Sequence, residues 1–295
     1  MKTWKADLAL AGVTVIWGAT FVMVKSALDH VSPVLFLALR FTLAAGVLLI
    51  LYRSSLRRNA IIPGLIAGLC LFLGYFFQTK GLRLTTPSKS AFLTGLAIPM
   101  VPLAGALVYR KVPTRTELAG VAAAGVGMGL MTLQDGNLQL NPGDALTFLC
   151  AIAFAMHIVA VGHFSGRVRF ESLAVVQIGT AAILALSSFR WVESSKIQWE
   201  PSVLIAVLVT GLLATALAFS VQAWAQQFTS ATRTAVIFSL EPVCAWFTSW
   251  WLTGEVLSRQ GATGAVCILF GIFLVELKRF KPLEHQSSSA ANTDV

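Results

Sequence analysis

The sequence predicts an all-α polytopic membrane protein of ten transmembrane helices, arranged as two inverted five-helix repeats. Three observations carry that prediction: an apolar composition, ten runs of membrane-spanning length, and an internal repeat. Of 295 residues, 56% are hydrophobic and only 12% charged, whereas a soluble domain carries about 25% charged residues. Crossing about 30 Å of hydrocarbon at about 1.5 Å per residue takes about 20 mainly apolar residues. Runs of that kind cover 7–27, 33–52, 60–80, 86–109, 116–133, 142–162, 172–189, 202–227, 231–252 and 260–279.

The runs are separated by turn or charge signals. Asp29-His30-Val31-Ser32-Pro33 divides the first from the second, Arg53 to Asn59 the second from the third, Asp135-Gly136-Asn137 and Asn141-Pro142 the fifth from the sixth, and Glu193 to Pro201 the seventh from the eighth. Lys2 and Lys5 precede an apolar run longer than the core of a signal peptide, so the first run reads as a retained span. The polar tail 282–295 reads as disordered. Lys and Arg are concentrated on loops sharing a side with the N-terminus, fourteen against seven, which puts both termini in the cytoplasm. Lys80, Arg83 and Lys89 run against that bias.

At an ungapped offset of 144, Gln78 falls on Gln222, Lys89 on Arg233, Leu96 on Leu240, Arg115 on Arg259, Gly120 on Gly264 and Gly127 on Gly271. At 137, Asp7 falls on Asp144 and Trp17 on Phe154. The units are 1–137 and 138–281. Because each holds five spans, an odd number, the second enters the membrane from the opposite side. Secondary transporters reuse this inverted architecture, with substrate near the midplane between the repeats.

The net charge of +9 comes from clusters between apolar runs, which argues against nucleic-acid binding. Cys70, Cys150, Cys244 and Cys267 lie inside apolar runs without metal-ligand spacing and read as core residues. Gly125, Gly127 and Gly129 lack the strand-turn-helix setting of a dinucleotide loop. Gly64-xxx-Gly68 and Gly125-xxx-Gly129 read as close-approach pairs between helices. No hydrolase or ATP-binding motif occurs, so neither an enzyme nor an ATP-driven pump is expected, and no cofactor or metal.

Polar residues inside the spans are the candidates for chemistry. A central carboxylate costs about 2.5 to 3.5 kcal/mol on insertion scales, so Glu241 must face the bundle, either as a substrate or proton-coupling group or as a structural acid. Thr234, Glu241 and Thr248, with Ala245 beside them, form a seven-residue stripe whose mates are Ser90, Ala97 and Ala104. Arg40 reads as structural or anion-attracting, and His157 as a hydrogen-bonded neutral imidazole or a relay. Gln78 and Gln222 read as gate or rim residues or as interhelical hydrogen-bonders, and Trp17 and Tyr75 as cavity walls or packing. Pro242, with Pro99 and Pro102 at nearly matching depth, predicts kinked helices. Trp4, Trp191, Trp199, Trp250 and Trp251 belong to interfacial belts.

Trp17-Gly18, Ser32-Pro33 followed by Arg40-Phe41, Leu240-Glu241-Pro242-Val243, Gly254-Glu255, and Gly264 with Gly271 together resemble the EamA-type transporters of the drug/metabolite transporter superfamily, over roughly residues 7–279. The resemblance implies a central cavity lined by spans one, three, four, six, eight and nine, and export of amino acids, other small metabolites or drugs across a bacterial inner membrane. Tyr109-Arg110-Lys111 stands where the family often has Gly-Glu. The expected partners are the lipid bilayer, a small-molecule substrate and a coupling ion such as the proton. Multidrug or lipophilic-cation efflux is the nearest alternative, and a membrane scaffold or embedded enzyme the remote one.

Overall fold

The computed structural model describes residues 3–84, 90, 93–110, 113–132, 142–253 and 258–276. Lys89, Gly254, Glu255 and the 282–295 tail lie outside these residues. The helices are α1 (Thr3–Ala27), α2 (Pro33–Tyr52), α3 (Ile61–Leu84), α4 (Ala97–Tyr109), α5 (Arg115–Thr132), α6 (Pro142–Phe164), α7 (Phe170–Val192), α8 (Pro201–Gly211), α9 (Ala218–Ala225), α10 (Ala231–Phe238), α11 (Glu241–Thr253) and α12 (Arg259–Glu276). A π-helical segment, Leu212–Leu217, joins α8 to α9. Six helical stretches are long and apolar enough to cross a membrane: Thr3–Ala27, Pro33–Ser55, Arg58–Leu84, Pro142–Phe164, Phe170–Val192 and Pro201–Ala225. The chain is an all-α polytopic membrane protein.

Local chemistry explains where helices start. Pro33 and Pro201 begin α2 and α8, where the missing N–H costs nothing. The α2 N-terminus also gains an acid from far along the chain, as Val34 N and Leu35 N both donate to Glu193 Oε1, at 2.9 and 3.0 Å. Burial raises the Glu193 pKa, against the opposing pull of those amides, Lys80 and Arg83. A reciprocal capping box opens α5: Glu117 Oε2 accepts from Thr114 N at 2.8 Å, and Thr114 Oγ1 accepts from Glu117 N at 3.4 Å. Ser230 caps α10 by accepting from Arg233 N.

The predicted kinks are breaks. Leu96 sits in a turn immediately before α4, and Ser239 with Leu240 in a turn between α10 and α11. Leu96 and Leu240 are mates at the 144 offset. Pro99 follows its break within α4, Pro102 lies farther along the same helix, and Pro242 is the second residue of α11. The discontinuity is therefore common to both halves.

Packing reproduces the repeat. A Cβ at Gly127 would come within 2.5 Å of Gly264 O, and one at Gly271 within 2.6 Å of Gly120 O. Each contact is the other with the repeats exchanged, so α5 and α12 cross at two equivalent points. Gly64 and Gly68 press likewise on Val176 and Gln177 of α7. Gly125 departs from the expectation: nothing lies within 4 Å of its Cβ position, and the close approach falls to Gly127. Gly127→Ala is expected to destabilise the detergent-solubilised protein by about 1–3 kcal/mol through overpacking, while Gly125→Ala leaves thermal unfolding unchanged or slightly improved. Equal melting of the two variants would contradict the assigned contact.

The predicted belt tryptophans are exposed, from 43% at Trp4 to 90% at Trp191. Arg110, where the resemblance leads one to expect Gly, takes a left-handed φ of 53° at the α4 C-terminus. Its neighbour Tyr109 donates to Val159 O at 2.8 Å, tying α4 to α6.

Candidate functional site

A cavity of about 90 Å³ lies in the centre of the bundle. Trp17, Arg40, Tyr75, Gln78, His157, Gln222 and Glu241, the seven polar or aromatic candidates, all line it. The walls come from α1, α3, α4 and the residues just before it, α6, α9, α10 and α11, helices of the runs that the resemblance named, with one addition: α2 contributes Arg40.

The lining is arranged in mates. Tyr75 and Phe219, Gln78 and Gln222, Thr94 and Phe238, and Ala97 and Glu241 are each 144 apart, and Trp17 and Phe154, and Thr20 and His157, are each 137 apart. The ring contacts obey the same exchange: Trp17 meets Phe219 at 5.3 Å and Phe154 meets Tyr75 at 5.2 Å, while Tyr75 and Phe219 meet edge-to-face at 6.1 Å. Such pairs add about 0.5–1.5 kcal/mol each beyond area burial. The cavity is thus built on the pseudo-two-fold relation, and its chemistry lies where mates differ.

Arg40 is 4% exposed. It neither snorkels out nor forms an ion pair among the described residues. Its Nε donates to Thr215 Oγ1 at 2.6 Å, and its Nη2 to Tyr75 Oη at 3.0 Å and to Ala214 O at 3.2 Å. The guanidinium also lies over the Tyr75 ring, 4.3 Å from its centroid. Trp17 Nε1 donates to the same carbonyl, Ala214 O, at 2.9 Å. Both Ala214 and Thr215 belong to the π segment, where Ala218 N bonds Leu213 O, five residues back. This wider turn offers backbone and hydroxyl oxygens sideways to α1 and α2, consistent with π turns occurring at functional sites. Sequence reasoning missed Ala214 and Thr215, since Leu-Leu-Ala-Thr-Ala-Leu contains no helix breaker. Thr20, Phe154 and Phe219 were recoverable as mates of His157, Trp17 and Tyr75.

His157 is 2% exposed, and its Nε2 pairs with Gln177 Oε1 at 2.9 Å. A ring N–H at Nε2 is the assignment consistent with that acceptor. Gln78 Nε2 donates to Thr94 Oγ1 at 3.3 Å, and Gln222 Nε2 to Gln226 Oε1 at 3.0 Å. Gln222 Oε1 is buried and has no hydrogen-bond partner among the described residues.

Glu241 is the one carboxylate among the described residues of the lining. No hydrogen bond or ion pair reaches its side chain among the described residues. Gly18 lets α1 approach within contact of this turn, since a Cβ there would come within 2.8 Å of Glu241 O and Ala245 N. The expected stripe through Thr234, Glu241 and Thr248 does not face one space. The break at Ser239 and Leu240 offsets its halves, only Glu241 reaches the cavity, and each threonine bonds the carbonyl four residues before it, Ser230 O and Cys244 O. Among its proposed mates Ala97 lines the cavity, whereas Ser90 and Ala104 do not.

Toward the end of the bundle that holds the start of α1, further side-chain contacts join the helices. Arg233 Nη2 donates to Asp7 Oδ2 at 2.8 Å, with both side chains about 15% exposed or less. Gln226 Nε2 donates to Ile158 O at 3.0 Å.

The EamA-like transporter family model matches residues 4–133 and again 141–277. An uncharacterized transporter of Archaeoglobus fulgidus is 34% identical over 279 residues, covering 94% of this chain and 88% of its own length. The uncharacterized inner membrane transporter YedA of Escherichia coli K12 is 24% identical, covering 92% and 90%. A protein of Salmonella typhimurium named "Probable amino-acid metabolite efflux pump" is 25% identical, covering 89% and 91%. A crystal structure 22% identical in sequence superposes with a TM-score of 0.77, covering 94% of this chain and 99% of its own, and shows the shared fold. With its two halves each matching the same model and its cavity between them, the chain belongs to the EamA-like transporter family.

Proposed function

We propose that this transporter exports small metabolites such as amino acids across the inner membrane by alternating access. In this reading ten spans form two inverted five-span repeats with both termini in the cytoplasm, and the repeats exchange roles around the central cavity. The observation that carries the reading is the cavity itself: an aromatic shell on the pseudo-two-fold, with a guanidinium and an unpaired carboxylate on one lining. An amino acid offers the complementary ammonium and carboxylate. Pockets for drug-sized ligands run to about 300–1,000 Å³, so a volume of about 90 Å³ favours a small solute over a multidrug substrate. The Salmonella relative's name points the same way.

The test is counterflow into liposomes holding purified protein, screened with amino acids, purines and lipophilic cations, with and without a pH gradient. Amino-acid counterflow supports the reading. Counterflow of lipophilic cations alone replaces it with multidrug efflux. Separately, the Asp7 and Arg233 pair reads as part of the closed cytoplasmic end. With the four native cysteines replaced, a Gln222→Cys reporter should react faster with a thiol reagent supplied from that side when Asp7→Asn is added. An unchanged labelling rate would remove the pair from the closure.

A further inference from the structure

The repeat relation also pairs two surface clefts at opposite ends of the bundle, and they differ in charge. One is lined by residues 28–32, Arg83, Glu193, Ser194, Lys196 and Gln198; the other by Arg57, Arg58, Asn59, residues 165–169 and Gln227. Residues 28–32 fall on 165–169 and Arg57 on Ser194 at offset 137, while Arg83 falls on Gln227 at 144. The first cleft contains its own anions: Asp29, and Glu193, seated on the α2 N-terminus. The mate of Glu193 is Leu56.

The second cleft holds four arginines, Arg57, Arg58, Arg167 and Arg169, and no acid on its lining. Arg169 pairs with Glu171 at 3.0 Å on the rim. Arg57, Arg58 and Arg167 form no ion pair among the described residues. Ser165, on the same lining, is 1% exposed, and its buried Oγ has no hydrogen-bond partner among the described residues. The Ser172 hydroxyl donates to Ser55 O, so the α2–α3 connection is held against the α7 start and the cleft has fixed walls. Leu51 near the end of α2, Leu56 in the α2–α3 connection and Ile62 near the start of α3 are all exposed beside these arginines in the chain.

We propose that this cleft binds the phosphate headgroup of an anionic phospholipid, with the acyl chains lying along Leu51, Leu56 and Ile62. Guanidinium forks match phosphate oxygens in pairs, and basic pockets at the cytoplasmic face of a helical bundle suit such headgroups. The volume, about 840 Å³ in an open cleft, admits a headgroup. The apolar flank selects a lipid over a free phosphate, and the mate cleft, with Glu193 in place, has no need of an external anion.

The test measures retention of phosphatidylglycerol against phosphatidylcholine by the full-length protein after detergent exchange, with inorganic phosphate as competitor. The wild type is expected to retain phosphatidylglycerol selectively. Losing Arg57, Arg58 and Arg167 to Gln should reduce that preference on the order of a hundredfold, about fivefold for each residue. Leu56→Glu, which sets the repeat counterpart of Glu193 beside this cleft and keeps all four arginines, should lower it comparably even if the triple variant fails to fold. Arg83→Gln with Lys196→Gln in the mate cleft should change nothing. Unaltered retention in Leu56→Glu, or equal loss in the mate-cleft variant, overturns the site. Complete displacement by equimolar inorganic phosphate overturns the lipid in favour of free phosphate.

Discussion

Glu241→Gln is expected to weaken recognition of an amine-bearing substrate by roughly 10- to 100-fold, because a hydrogen bond to a charged group contributes about 1.5–3 kcal/mol. Glutamine keeps the shape and one acceptor but removes the charge from the one carboxylate among the described residues of the lining. The loss should appear in counterflow concentration dependence and be smaller for substrates without an amine. Thermal unfolding should change little or improve, since no partner among the described residues is orphaned and a costly charge inside the bundle is removed. A second readout separates binding from coupling. If counterflow survives while the pH gradient ceases to drive net flux, Glu241 carries the proton instead; full proton-driven flux in the variant would exclude that role. A large drop in stability with normal transport would make Glu241 a structural acid.

Arg40 is expected to show the opposite division between charge and shape. Its three hydrogen bonds hold α2 to α3 and to the π segment, at about 1.5–3 kcal/mol each, against a desolvation penalty of several kcal/mol for a buried ion. These terms nearly cancel. Arg40→Met, which loses both, should therefore unfold within about 2 kcal/mol of the wild type. Arg40→Lys keeps the penalty but cannot place donors on Thr215, Ala214 and Tyr75 together, so it should be the less stable of the two. Both should lose most transport, because the cavity wall loses the Arg40 guanidinium. A lysine variant more stable than the methionine one would show that charge alone matters at this position.

Much of this architecture was legible in the sequence because the bilayer constrains it so strongly. Proline at 33, 142 and 201 marked helix starts, and apolar run lengths marked the cores. The repeat was read from a few matched polar, basic and glycine positions, and the matched glycines turned out to make reciprocal contacts, Gly127 against Gly264 and Gly271 against Gly120. The candidate site was legible for a related reason: a polar side chain inside a span must face protein or water, so listing such residues also listed one cavity. Register within a helix was not legible. The stripe through Thr234 and Thr248 assumed an unbroken helix and failed at Ser239 and Leu240, and the π segment leaves no mark in composition. Nor does a sequence reveal that Asp7 meets Arg233, 226 positions away, although the repeat had already matched their counterparts, Asp144 and Lys89.

The reciprocal contacts carry a consequence for descent. Residue i touching j while the mate of j touches the mate of i is the signature of an isologous interface between two identical chains. A homodimer of one such repeat unit would have made the same crossings. It would also have been bound to strict symmetry, so that a glutamate at the 241 position would appear twice, with two like charges at the same small cavity. Fusion into one polypeptide removes that obligation. It allows Ala97 and Glu241, or Thr20 and His157, to diverge across the axis, and so lets an apolar symmetric frame bear a single acid.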